Sequence, residues 1–160
     1  MSMQIEWAKN GAGVRYQAIV LLETDLAASW RLLSTTEGLR SWFPELSVAE
    51  FKVGGSLAFN STNTEQIAMP IYQLQQESEL GFGWARDRVH FALSEETRDG
   101  TTKLIFTEEV QNVTSHTPRD LAGWYMCLQR MQQVSRGEDT TFDQALFDRL
   151  FEEYQAKLQK

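Results

Sequence analysis

The sequence predicts an α+β domain. It should be a curved antiparallel sheet of about seven strands with two short helices after strand one, a long helix packed across the sheet, and an additional C-terminal helix. Three observations carry that prediction. From Leu46 to Phe106 apolar residues recur at every second position, the period of strands with one covered face. From Leu121 the period becomes helical: Leu121, Trp124, Tyr125, Leu128 and Met131 form one stripe, which must lie against a surface. Two short segments with helical start and stop signals separate the first strand from the alternating region.

The elements follow in order. Residues 1–13 are weakly patterned and close on Asn10-Gly11-Ala12-Gly13, so they read as a turn or loose leader. Val14 to Glu23, rich in Val, Ile, Leu and Tyr, reads as a largely covered strand. Asp25 caps a short helix from Leu26 to Leu33, and Thr35 to Phe43 forms a second one stopped by Pro44. Ala49, Phe51 and Val53 alternate up to Gly54-Gly55, which reads as a two-residue hairpin before Leu57 and Phe59. Ile67, Met69 and Ile71 begin a strand that Pro70 should confine to an edge or a bulge. Leu80, Phe82 and Trp84 alternate next, then Arg86-Asp87-Arg88 makes a polar break before Val89, Phe91 and Leu93. A turn at Arg98-Asp99-Gly100-Thr101 leads to a last strand through Leu104 and Phe106. Thr117 is the expected N-cap of the long helix, with Pro118 at its first position and Asp120 as a capping-box acid. Gly137 ends that helix, and Phe142, Leu146, Leu150, Tyr154 and Leu158 recur at four-residue steps in another.

Composition bounds the function. A chain of 160 residues supports one domain, 1–160, comprising the leader 1–13 and the extra helix 138–160. A net charge of −7 supplies no basic stripe for nucleic acid and no attraction to anionic membranes. No apolar run reaches the roughly 18–20 residues that span a bilayer, so membrane insertion is not expected. The single cysteine, Cys127, permits no intramolecular disulfide, and with no signal peptide visible the expected location is cytoplasmic. His90, His116 and Cys127 lack metal-ligand spacing, and nucleotide-binding and hydrolase motifs are absent, so no metal or cofactor is expected.

Specific residues carry a family resemblance. Ser29-Trp30-Arg31-Leu32-Leu33-Ser34-Thr35 is followed by Glu37-Gly38-Leu39-Arg40-Ser41-Trp42-Phe43-Pro44, then by Val53-Gly54-Gly55 with Leu57 and Phe59. Leu80-Gly81-Phe82-Gly83-Trp84, Asp99-Gly100-Thr101 before Leu104, and Gly123-Trp124 before Leu128 complete the series. From Val14 to Met131 this order resembles the helix-grip proteins of the START and SRPBCC superfamily. Within it, the series is most similar to the bacterial branch related to the carboxy-terminal domain of the activator of the ninety-kilodalton heat-shock chaperone ATPase. The resemblance implies a cavity between sheet and long helix that holds a lipophilic small molecule. It implies no fixed reaction, since the fold serves carriers, receptors, cyclases and co-chaperones.

The candidate cavity residues are Trp30, Trp42, Phe59, Met69, Trp84, Phe91, Phe106, Trp124, Tyr125 and Leu128, together with Glu108. For any one ring plain core is the favoured reading; collectively, large rings under one helix can line space without filling it. Stepping by twos from Leu104 and Phe106 puts Glu108 on the inner face near the cavity mouth, either as a strand-end acid in water or as a pocket carboxylate with a raised pKa. The expected function is binding of a hydrophobic or amphipathic small molecule. A co-chaperone-like interaction module and a cyclase or hydratase using Glu108 are the alternatives. Phe142, Leu146, Leu150 and Tyr154 either pack on the domain itself or form a homodimer or partner surface.

Overall fold

The computed structural model describes residues 3–61, 65–96 and 100–159. Eight strands form one antiparallel sheet, laid out as β1 (Gln4–Asn10), β2 (Gly13–Leu22), β8 (Thr102–Val110), β7 (Asp87–Glu95), β6 (Glu79–Trp84), β5 (Gln66–Gln75), β4 (Ser56–Asn60) and β3 (Leu46–Glu50). The helices are α1 (Leu26–Ser34), α2 (Thr36–Trp42), α3 (Thr117–Ser135) and α4 (Gln144–Leu158). This is the helix-grip arrangement, with α3 across the sheet. Among the described residues no helix is long and apolar enough to cross a membrane.

The helix caps are those the side chains dictate. Asp25 Oδ1 accepts from the Ala28 amide at 2.8 Å, and Thr35 Oγ1 accepts from the Gly38 amide at 2.9 Å, each satisfying a first-turn donor. Gly38 is required for another reason: a Cβ there would lie 2.0 Å from the Arg31 carbonyl oxygen, so only glycine lets α2 fold this tightly against α1.

The inner face of the sheet is the alternate set expected from the period. Tyr16, Ala18, Val20 and Leu22 of β2, Leu104 and Phe106 of β8, and Val89 and Phe91 of β7 are all buried. Helix α3 covers them with Leu121, Trp124, Leu128 and Met131, all buried, while Tyr125 is half-buried. Polar contacts fix both ends of the helix. Trp84 Nε1 donates to Asp120 Oδ1 at 2.8 Å near its start, and the Glu23 amide donates to Ser135 Oγ at 3.0 Å at its end.

Several expectations are corrected. The stretch read as a leader contains β1, paired antiparallel with β2 from Gln4↔Ile19 to Asn10↔Gly13, which raises the strand count to eight. Only its Ile5 and Trp7 are half-covered, so an edge strand wet on most sides leaves little apolar alternation to read. The β3–β4 connection runs through residues 51–55, longer than a two-residue hairpin, because a register shift between Val48 and Glu50 ends the strand before Phe51 and Val53. Of the two places expected for Pro70, the edge is not the one found, since β5 lies between β4 and β6; the irregularity is, directly after it at Ile71/Gln73. The Arg86-Asp87-Arg88 break is a tight turn at Ala85 and Arg86, with Asp87 already in β7 and opposite Trp84. Thr117 is the first helical residue of α3, not its cap; His116 occupies the cap position without a side-chain bond. Arg98 and Asp99 of the predicted turn lie outside the described residues.

Helix α4 folds back on the domain. Leu150 and Tyr154 are buried, and Tyr154 Oη lies 2.7 Å from Tyr16 Oη, inside a trio of edge-to-face rings with Trp7. Those two residues are therefore covered by the chain itself, whereas Leu146 is half-buried and Phe142 is 49% exposed.

Candidate functional site

The aromatic side chains under α3 divide into a closed group and an open one. Trp42, Phe82, Phe91, Phe106 and Trp124 are at most 2% exposed. Trp124 is the hub, with ring centroids 4.8 Å from Phe106, 6.0 Å from Phe91, 5.4 Å from Phe43 and 5.0 Å from Trp84. Offset and edge-on contacts of this kind are attractive beyond simple burial. Trp42 donates its indole N–H to the Leu32 carbonyl at 2.9 Å, and Trp30 packs toward Phe51. Of the predicted cavity residues, Trp30, Trp42, Phe91, Phe106 and Leu128 thus stand in close-packed surroundings.

Phe59, Met69 and Trp84 stand where the packing opens, and the buried Trp124 of the closed group backs onto the same space. A cleft of about 330 Å³ lies between the start of α3 and the strands, walled by Phe43, Phe59, Trp84, Gly123, Trp124 and Met126. A second, of about 460 Å³, is walled by Phe59, Ile67, Met69, Trp84, Asp87, His116 and Asp120. Phe59, Trp84 and Asp120 line both, so the two clefts meet at these side chains. Gly123 contributes to this openness: a Cβ built there meets nothing within 4 Å.

Three carboxylates converge at the same place. Asp87, Glu108 and Asp120 each present an oxygen within 4.8 Å of the other two. Glu108 is fully buried behind the clefts, and with all three acids ionised neither of its oxygens meets a donor. Burial, then the facing Asp120 carboxylate, then Asp87, push the Glu108 pKa well above its ordinary value. Two carboxylates are acceptors only, so they satisfy each other only when one carries a proton; Glu108, the more buried, is the one to hold it. Burial also raises the Asp87 pKa, and the Asp120 charge adds to this against the opposing bond that Asp87 Oδ1 accepts from the Gln111 amide at 3.0 Å. Among the described residues no Lys, Arg or His nitrogen is within ion-pair distance of the three.

Next to the acids the interior stays polar. Tyr16 lies opposite Glu108 across β2 and β8, and burial, with Tyr154 and Tyr125 nearby, raises its pKa well above normal. Cys127 borders the first cleft, but burial pushes its thiol up to about 12, which leaves it unreactive near neutrality. His90, on the outer face, pairs with Glu79 at 2.9 Å.

Glu108 was marked from the sequence; Asp87 and Asp120 were not. Both were visible by the same arithmetic. Asp87 continues Leu93, Phe91 and Val89 backward by twos, and Asp120 stands four residues before Trp124 on the helix.

No family model matches this chain, and no curated protein matches it. Solved structures do. A conserved protein of unknown function from Enterococcus faecalis is 26% identical, with a TM-score of 0.85 over 98% of this chain and 91% of that one. CalU16 from Micromonospora echinospora is 14% identical, with a TM-score of 0.74 over 99% and 98% of the two chains. DynU16, from the dynemicin biosynthetic locus, is 17% identical, with a TM-score of 0.64 over 79% of this chain and 49% of that one. These likenesses place the chain in a class: an α+β sheet gripped by one long helix. Of these structural neighbours, one is a protein of unknown function and one comes from a biosynthetic locus.

Proposed function

We propose that this protein is a helix-grip member of the START and SRPBCC superfamily that binds an amphipathic small molecule where the two clefts meet, at the open end of the grip. The observation that carries the reading is the composition of that junction. Phe59 and Trp84 wall it, with Trp124 on the side of the first cleft and Met69 on the side of the second, while a few acids converge close by, the usual make-up of a small-molecule site. Origin of a structural neighbour in a biosynthetic locus accords with a small organic ligand. The binding place differs from a central cavity, because the rings at the centre already pack on one another.

Native mass spectrometry of the protein purified from its own host tests this. A retained small molecule is expected in the wild type. It should be lost in Gly123→Leu, whose side chain grows into the first cleft where no atom now stands within 4 Å of the Cβ position. Retention unchanged by that substitution would place the ligand elsewhere.

A further inference from the structure

We infer that the first cleft takes an apolar carboxylic acid, its chain against Phe59, Trp84 and the Gly123 gap and its carboxylate on the Arg130 guanidinium. This rests on the small-molecule reading of the clefts and names the head group of the ligand and the side chain that meets it.

The chain carries 22 acidic side chains against 15 basic ones, so a guanidinium has acids to choose from. Arg130 takes none of them. It is half-buried in the wall of the cleft, yet among the described residues its side chain forms no ion pair and no hydrogen bond. What it touches is the ring of Phe142, whose centre lies 6.0 Å from the guanidinium carbon. Such a contact holds the group in place and supplies no acceptor for its N–H donors. Phe142 is itself 49% exposed and lines the same cleft. A cation seated on a ring, beside an apolar cleft and short of an acceptor, is complementary to an anion with an apolar body, and the planar fork of arginine matches a carboxylate.

The helix sets the spacing. Arg119, Gly123, Cys127 and Arg130 follow at steps of three or four residues, so they run along one side of α3. Arg130 stands about 10 Å beyond Gly123 along the axis, and about 15 Å beyond Asp120 at the helix start. No atom lies within 4 Å of the Gly123 Cβ position, which keeps the middle of that path open. The room, about 330 Å³, is at the small end of the roughly 300–1,000 Å³ of small-molecule sites. It suits one short chain and not a two-chain lipid.

The other charges of the cleft favour the Arg130 end. Asp120 accepts the Trp84 indole N–H and faces Glu108, so an acid head group is repelled at the helix start. Arg119, next to it in the chain, is exposed and lies over Phe151, 5.1 Å from the ring centre. Glu45 is exposed and beyond ion-pair distance of Arg130, so water screens it. The Cys127 thiol between them reports the same order: after burial, Arg130 acts on it most, ahead of Glu45 and Asp120.

Calorimetric titration near neutral pH with n-octanoate and with n-octanol, matched in length and different in head group, tests the assignment. A net charge of −7 opposes anions in general, so a preference for octanoate has to come from a local cation. Octanoate should bind about tenfold or more tightly than octanol in the wild type. Arg130→Gln should bring the two affinities together and leave octanol binding in place. Arg149→Gln, which removes the same charge from exposed α4 surface outside both clefts, should keep the preference. Melting curves establish that each variant is folded. Equal affinity for the two probes in the wild type would overturn the carboxylate assignment and leave the apolar cleft standing. Binding of neither would overturn both. A preference that survives Arg130→Gln would overturn the role of Arg130, and its loss in Arg119→Gln instead would put the head group at the helix start.

Discussion

The two ends of the space under α3 use the same kinds of side chain to opposite effect. At the centre, Trp42, Phe91, Phe106 and Trp124 close on one another, and Trp42 and Trp124 are at most 2% exposed. Toward the start of the helix, Trp84 and Phe59 are only half-covered; each has rings on one side and a cleft on the other. Polar groups divide less cleanly. In the closed group the Trp42 indole is bonded to a carbonyl while the buried Trp124 indole N–H has no partner, and at the open end three carboxylates face one another. A ring's type therefore says nothing about its role; what decides is whether its far side is filled. Packing that is complete in one place and interrupted beside unsatisfied acids in another is how a fold gives up stability for binding.

The contrast can be broken at either end. The largest effect is expected at the closed end: Trp124→Ala removes the hub of five ring contacts and should cost about 3–5 kcal/mol in chemical denaturation. A loss near 1 kcal/mol would mean that the centre is as open as the mouth.

Glu108→Gln should act in the opposite direction, stabilising by about 1–3 kcal/mol near neutral pH. The sign follows from linkage. Because the folded-state pKa of Glu108 is raised, the unfolded chain ionises first as pH climbs, and stability falls from the ordinary glutamate range up to the folded value. The groups facing this carboxyl are Asp120, Asp87 and Tyr16, so no nearby cation offsets the trend. Glutamine removes the ionisation, and its advantage should vanish below about pH 4, where the glutamate is protonated in both states. Melting temperatures of the two proteins across pH 4–8 check this, and a constant difference would contradict it.

A smaller gain should come from Gly123→Ala. Glycine inside a helix costs about 1 kcal/mol relative to alanine, and the added methyl group meets no atom within 4 Å. A destabilised variant would show that the first cleft is closed in solution. A change of similar size and opposite sign should come from Tyr154→Phe, which deletes the Oη–Oη bond to Tyr16 and should cost about 1 kcal/mol in chemical denaturation while the rings stay packed.

Much of this was legible because period and burial agree where one face of an element is dry. The inner strand residues, α1 with its Asp25 cap, α2, and the stripe of α3 all follow from the chain. Reading failed where a local signal competed with the global pattern. Asp120 follows Thr117 and Pro118 and looks like a capping acid, yet its carboxylate accepts the Trp84 indole N–H across the grip. Asp87 stands between two arginines and looks like part of a loop, yet it begins β7 on the inner face. Strand β1 failed for a different reason. At the sheet edge it buries too little to need alternation. What sequence could not supply was the filling of space: whether a ring's second face meets another ring or a cleft depends on distances across the fold.

The most direct test follows the five indole N–H signals by NMR during titration with n-octanoate. Trp84 and Trp124 border the clefts, while Trp30 and Trp42 do not. The largest shifts are expected at Trp84, whose N–H is bonded to Asp120, and at Trp124, with Trp7, Trp30 and Trp42 nearly stationary. Shifts centred on Trp30 and Trp42, or none at all, would contradict a binding site at the open end of the grip.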